Sequence, residues 1–128
     1  MRGLASLLII DAIMKKLPTR KSGALLPCQV FDLFCGTSVG GLVSILLGRL
    51  GLDCQTAINV YEMAVKELFG EKEDAWKIIA DGDSLDTSKF DAVVARVVAE
   101  YTGSPHVSMK LSLEDNQDPR SHPNTKVL

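Results

Sequence analysis

One serine stands between two glycines at a spacing that hydrolases use for a nucleophile. Residues 36–40 read Gly-Thr-Ser-Val-Gly, so Ser38 has a glycine two positions away on each side. The residues before and after this pattern are mostly apolar, as in a nucleophile elbow, where the serine occupies a strained turn between a strand and a helix. The flanking glycines allow the backbone to pass closely without a Cβ clash. The pattern therefore predicts Ser38 as a nucleophile within a motif of Gly36, Thr37, Ser38, Val39 and Gly40.

A serine hydroxyl attacks well only when a base takes its proton and donors receive the negative charge that develops on the substrate oxygen. Val39 follows Ser38 at the start of the predicted helix, where backbone amides point toward the turn. We therefore expect the Val39 amide to be one donor of an oxyanion hole.

The elements that must position Ser38 are a strand over residues 29–36 and a helix over residues 39–49. The strand is apolar on both faces apart from Asp32, as expected for a buried parallel strand covered by helices. The following helix is apolar nearly all round and is predicted to be buried. Periodicity and stop signals predict further helices over residues 4–17, 53–69 and 86–101, a strand over 107–113 and a loop over 114–124.

Residues 36–41, preceded by Phe-Asp-Leu and followed by an apolar helix, resemble the Gly-Thr-Ser-x-Gly-Gly elbow of patatin-like phospholipases. Arg2 and Gly3 match the last part of that family's glycine-rich oxyanion motif. The resemblance implies one α/β domain over residues 1–128: a partial three-layer sandwich with a central, mostly parallel sheet, truncated at both ends. It also implies Gly3 as a second oxyanion-hole residue, and it implies that residues 126–128 are the first residues of a core strand.

The family that this sequence resembles uses a serine–aspartate dyad, with the aspartate in an Asp-Gly-Gly or Asp-Gly-Ala motif far downstream. We expect that motif to lie beyond Leu128, and the chain by itself to be catalytically silent. Asp81, in Asp-Gly-Asp, is an alternative base, although Asp-Gly pairs are common turn signals. A second alternative is a triad of Ser38 with Asp83 or Asp86 and then His106. His122 lies in the predicted polar loop and is expected to have no catalytic role.

Composition limits the function classes. The chain has 128 residues, a hydrophobic fraction of 46% and a formal net charge of −2, which provides no long-range attraction for nucleic acid. No apolar run reaches the roughly 18 residues of a membrane-spanning helix, and the N-terminal apolar run, interrupted by Asp11, does not fit a secretory signal. The three cysteines show no metal-binding or disulfide pattern. We expect a cytoplasmic protein without metal or cofactor; oligomeric state is not indicated.

A basic cluster follows the first predicted helix, consisting of Lys15, Lys16, Arg20 and Lys21. Cations at a helix C-terminus complement the helix dipole, so a solvated helix end is the simplest interpretation. Peripheral contact with anionic lipid headgroups is the alternative.

The function implied by the resemblance is that of a serine lipid acyl hydrolase, which would cleave lipid or phospholipid esters through an acyl-Ser38 intermediate. The alternative is a non-catalytic remnant or shortened gene product with a binding or structural role. A malonyl-type acyltransferase has a related elbow, but it normally carries histidine before the serine and an acidic residue after the second glycine. Thr37 and Gly41 argue against that class.

Overall fold

Helix α1 (Arg2–Lys16) opens the part of the chain that the computed structural model describes, namely residues 2–18, 23–70, 87–106 and 126–127. It agrees with the helix expected over residues 4–17. Within it, Lys15 Nζ lies 2.6 Å from Asp11 Oδ2, one helical turn earlier. Lys15 and Lys16 occupy the last turn, where their charges complement the helix dipole.

The segment that leads to Ser38 is less extended than predicted. Pro27–Gln29 forms a 3₁₀ turn, and strand β1 is confined to Leu33–Phe34. Helix α2 (Val39–Ser44) follows the serine and continues as a π-helical turn over Ile45–Arg49, in which the Leu50 amide donates to the Ile45 carbonyl at 2.9 Å.

Two longer amphipathic helices complete the described helical structure, α3 (Cys54–Phe69) and α4 (Thr87–Thr102). Asp53 caps α3, as the sequence predicted, and accepts the Thr56 amide at 3.0 Å. Gly70 and Gly103 end the two helices with φ of 72° and 77°, a region that glycine enters without steric cost. An exposed ion pair between Glu67 and Arg96 links α3 to α4.

Helix α3 lies at the centre of the packing and contacts α1, α2 and α4. The core takes residues from all four helices and from β1, and its best buried members are Leu7, Leu42, Leu46, Leu47, Ala57, Ala64 and Val93. The α2 segment is thus buried, as its apolar sequence predicted. Two residues of α1, Leu4 and Ile10, are partly buried and pack against this core.

The expected three-layer α/β sandwich with a central parallel sheet is wrong, because the described residues form a mostly helical domain of four helices. β2 (Lys126–Val127) lies parallel to β1, but the pairing covers only Leu33 with Lys126 and Phe34 with Val127. Local bonding explains why β1 does not begin at residue 29. The Gln29 side chain accepts the Leu26 amide at 3.0 Å, while the Val30 and Phe31 amides donate to the Pro27 carbonyl at 3.0 and 2.9 Å. These amides are therefore used within the turn and not across a sheet.

The predicted strand over 107–113, the loop over 114–124 and Asp86 at the start of the last helix lie outside the described residues. Among the helices that are described, none combines the length and apolarity required to cross a membrane.

Candidate functional site

Ser38 stands at the junction of β1 and α2 in an unusual backbone conformation. Its φ of 53° and ψ of −127° make it the only non-glycine residue with positive φ in the described part of the chain. A non-glycine residue in such a region costs about 1–3 kcal/mol, and such residues cluster at functional sites. The turn therefore has the strained geometry that the nucleophile-elbow motif requires.

Three backbone hydrogen bonds hold the turn. The Gly40 amide donates to the Thr37 carbonyl at 2.9 Å, and the Ser38 carbonyl accepts from Gly41 at 2.9 Å and from Leu42 at 3.4 Å. Ser38 is thereby fixed as the residue that precedes α2. Its side chain does not cap the helix and is exposed.

Gly36 is required by the close approach of the two arms of the turn. A Cβ at this position would overlap the Gly40 carbonyl and lie 2.8 Å from the Gly41 nitrogen. Since these are backbone atoms, no side-chain rotation could relieve the overlap. The glycine two positions before the serine thus has the steric role that the motif assigns to it.

Gly40 differs from Gly36 in this respect. A Cβ built on Gly40 meets no atom within 4 Å, whereas one on Gly41 would lie 3.4 Å from the Gly36 carbonyl oxygen, which is ordinary contact. The expectation that glycines on both sides avoid a clash is therefore correct for Gly36 and incorrect for Gly40.

Ser44 is a supporting residue that the motif does not contain. Its hydroxyl donates to the Gly40 carbonyl at 3.0 Å, and its side chain is buried, with 3% exposed. The bond fixes the same carbonyl against which Gly36 packs. The sequence could have indicated this role, since Ser44 is a polar residue inside an otherwise apolar helix and a buried hydroxyl requires a hydrogen-bond partner.

Val39 is the first residue of α2 and half-buried. Amides in the first turn of a helix have no carbonyl partner within that helix. Its position directly after Ser38 is the one that an oxyanion-hole donor occupies in an elbow. The role stays a prediction.

Arg2 and Gly3 lie in the first turn of α1, and Gly3 packs against α3. A Cβ on Gly3 would come within 2.8 Å of the Tyr61 ring carbon Cζ. Burial raises the pKa of Tyr61, and an opposing hydrogen bond from the Leu4 amide to its hydroxyl partly offsets that rise. The described contacts of Gly3 thus explain the glycine by helix packing, while its predicted oxyanion role stays a prediction.

No base is joined to Ser38 among the residues that the structure describes, since the serine hydroxyl makes no hydrogen bond with any of them. Asp81, Asp83, Asp86 and His122 lie outside those residues. His106 is described: it is exposed in the turn after α4, and its amide donates to Ser104 Oγ at 3.3 Å. The structure therefore places Ser38, Val39 and Gly36 together and assigns no described residue as their base.

A cleft of about 270 Å³ lies between the end of α1, residues 24–27 and the start of α3. Its polar lining includes Asp11, Asp53 and Cys54, and none of residues 36–40 lines it. Burial is the main cause that raises the pKa of Cys54 to about 11, so this thiol is protonated and unreactive at neutral pH. Within the described ranges no group of three or more histidine, cysteine, aspartate or glutamate residues could hold a metal ion.

The turn is built from residues close together in the sequence. Gly36 leaves no room for a Cβ, Ser38 has a strained backbone, and the buried Ser44 hydroxyl anchors the first turn of α2. Such a turn can present a nucleophile and one backbone donor to an acyl carbonyl carbon. Comparison with models of protein families, with curated proteins and with solved structures finds no match for this chain.

Proposed function

We propose that Ser38 is the nucleophile of a serine acyl hydrolase that acts on lipid esters. The single observation that supports the proposal is the backbone of Ser38, a non-glycine residue with φ of 53° and ψ of −127°, in the strained turn that the sequence motif predicts. Strain of this kind is retained when the surrounding structure holds it in place. Here Gly36 and Ser44 supply that support through the Gly40 carbonyl.

The chemistry that follows is acyl transfer. The Ser38 oxygen would attack the ester carbonyl carbon, the Val39 amide would donate to the developing oxyanion, and the alcohol part of the lipid would leave with the proton that the serine loses. Water would then hydrolyse the acyl-serine ester. A base accelerates both steps, and we assign this role to none of the described residues.

The choice of a lipid ester rests on the resemblance of residues 36–41 to the patatin-like elbow. Leu33 in β1 is 51% exposed, but a single exposed leucine is common on protein surfaces, so the choice of ester rests on the sequence resemblance alone.

The test is covalent labelling of the purified chain with a long-chain alkyl fluorophosphonate, followed by peptide mapping. We expect one adduct on Ser38 that forms over hours, because no described base activates the hydroxyl, and no adduct in Ser38→Ala. Ser88 is an internal control: it is also an exposed serine in the first turn of a helix, α4. Equal labelling of Ser38 and Ser88, or none at Ser38, would refute the proposal.

A second candidate function is a non-catalytic one, favoured by the Ser38 hydroxyl having no described hydrogen-bond partner. Under it, Ser38→Ala would leave every measurable property of the protein unchanged except stability. Sustained hydrolysis of a p-nitrophenyl ester beyond one equivalent, lost in Ser38→Ala, would exclude this alternative and would also contradict the expectation that the chain alone is silent.

A further inference from the structure

Helix α1 presents a second apolar face to solvent, in addition to the one that packs in the core. We call its five residues the α1 outer face: Ala5, Leu8, Ile9, Ala12 and Ile13. All five are exposed, and the three large ones retain 51% (Leu8), 61% (Ile9) and 44% (Ile13) of their surface. Their spacing of three and four residues places them on a single stripe of the helix.

The core does not need this stripe. Leu7 is fully buried on the opposite side of α1, and Leu4 and Ile10 pack against the same core. Large aliphatic side chains that are exposed together on one helix indicate an interaction surface, in contrast to single exposed ones.

The charges of α1 indicate what this surface contacts. Lys16 is exposed and lies three residues after Ile13, the last residue of the stripe. In the sequence, Arg2 lies three residues before Ala5, the first residue of the stripe. The α1 outer face has no acidic residue, and the one acid of the helix, Asp11, is paired with Lys15. The helix thus has an apolar stripe in a sequence with cationic residues before and after it.

We propose that the α1 outer face binds an anionic lipid surface, with α1 lying in the plane of the interface. Aliphatic side chains enter the boundary between headgroups and acyl chains, while lysine stems extend so that their charges reach anionic headgroups. Contact of this kind is peripheral, because a helix of 15 residues is about 22 Å long and lies along the surface.

A second copy of the chain fits the stripe less well. If two α1 helices paired through it, a parallel arrangement would bring Lys16 against Lys16, and an antiparallel one would bring Lys16 toward Arg2. Like charges brought together in an interface oppose association. The same charges favour an anionic surface.

The proposal concerns a surface distinct from Ser38 and goes beyond the acyl-hydrolase function. We therefore expect Ser38→Ala, which removes the chemistry, to bind vesicles as the unchanged protein does. A failure of labelling at Ser38 would leave the vesicle result unaffected, so the two proposals can fail separately.

The experiment is co-sedimentation of the full chain with vesicles of phosphatidylcholine, with and without phosphatidylglycerol. We expect stronger binding to the vesicles that contain phosphatidylglycerol. Ile9→Asp should lower the partition coefficient at least about tenfold, which corresponds to about 1.4 kcal/mol. The matched control is Met63→Asp, since Met63 in α3 is similarly exposed at 54% and the substitution adds the same charge elsewhere.

Circular dichroism of each variant shows whether it folds, and Ile13→Gln is a second, uncharged variant of the stripe. Absence of binding by the unchanged protein, or equal loss in Ile9→Asp and Met63→Asp, would overturn the proposal. Sedimentation velocity measures the oligomeric state. A dimer that Ile9→Asp dissociates would assign the stripe to a second copy of the chain and overturn the lipid assignment.

Discussion

Ser38 combines a side chain that chemistry can use with a backbone conformation that favours glycine. Its φ of 53° is tolerable for glycine, whereas any Cβ there is crowded by neighbouring peptide groups. A residue held in such a conformation lowers the stability of the folded protein, and the surrounding structure must offset that cost.

This strain predicts an order of stability among Ser38 variants. Ser38→Gly should relieve the strain and unfold at a higher denaturant concentration than Ser38→Ala, with a difference of about 1 kcal/mol in the free energy of unfolding. Both variants lose the hydroxyl, so each serves as the other's control for the lost side-chain oxygen. Equal midpoints in urea titration would contradict a strained serine.

The two glycines of the motif should respond differently to alanine. Gly36→Ala should destabilise the protein by about 1–3 kcal/mol, because its Cβ would overlap the Gly40 carbonyl. Gly40→Ala adds a Cβ to open space within α2 and should be neutral or stabilise by up to about 1 kcal/mol. Urea unfolding of the pair checks this, and a larger loss for Gly40→Ala would show that the motif requires both glycines for steric reasons.

At the residue level, the sequence indicated the strained turn at Ser38 because the requirements of such a turn are local. The position of Gly36 follows from the spacing to Ser38 alone, and the structure provides the close backbone contact that explains it. The role of Ser44 was not predicted. It depends on a hydrogen bond to the Gly40 carbonyl, one helical turn earlier, within a helix whose sequence is otherwise apolar. The freedom at Gly40 depends on empty space, which no sequence pattern reports.

At the level of elements, helix α3 has a start that one residue of the sequence, Asp53, determines directly as its N-cap. The Asp53 carboxylate accepts the Thr56 amide at 3.0 Å and the Thr56 hydroxyl at 2.6 Å. Burial opposes its ionisation, but the hydrogen bonds from Thr56, together with those from the backbone of Gln55 and Asp53, outweigh burial and hold the Asp53 pKa below its ordinary value.

The cap predicts a pH dependence of stability. Because the folded-state pKa of Asp53 is lowered, its stabilisation is present above the ordinary aspartate pKa of about 4 and is lost as the pH falls through the folded pKa. Asp53→Ala should cost about 1 kcal/mol at neutral pH. Asp53→Asn keeps a capping side chain without a titrating group, so it should flatten the stability profile below pH 4, and an unchanged acid slope would contradict the assignment.

Helices were predicted better than strands for a physical reason. Amphipathic periodicity and capping residues act within one element, as in α3 and α4, and are visible in the sequence. A strand needs a partner elsewhere, and the segment before Ser38 lost most of its extended structure to the hydrogen bonds of Pro27–Gln29. The α/β expectation came from resemblance, and no local pattern could have tested the number of strands.

At the level of the whole molecule, the reactivity of the three cysteines measures how well the core excludes solvent. Cys28 and Cys54 are buried, whereas Cys35, next to Gly36, is exposed. Burial raises the pKa of Cys28 and is the main cause of the higher pKa of Cys54.

We therefore expect one thiol to react rapidly with Ellman's reagent in the native protein, and all three in denaturant. Cys35→Ser should abolish the rapid reaction and leave the other two for denaturant. Rapid reaction of two thiols in the native state would mean that the packing around Cys28 or Cys54 opens readily.

The short pairing of β1 with β2 has a consequence for the order in which the native state opens. Leu33 and Phe34 pair with Lys126 and Val127, so the ladder between these distant parts of the chain has two residue pairs, and β2 also contacts the π-helical turn over Ile45–Arg49. Closing such a distant contact is entropically costly, and a ladder this short offers little in return. In amide hydrogen exchange, β1 should lose its protection at a lower opening free energy than the centre of α3. The strand that leads to Ser38 would thus open at a lower free energy than α3, so the order of the serine turn would depend in part on the pairing of β1 with residues 126–127.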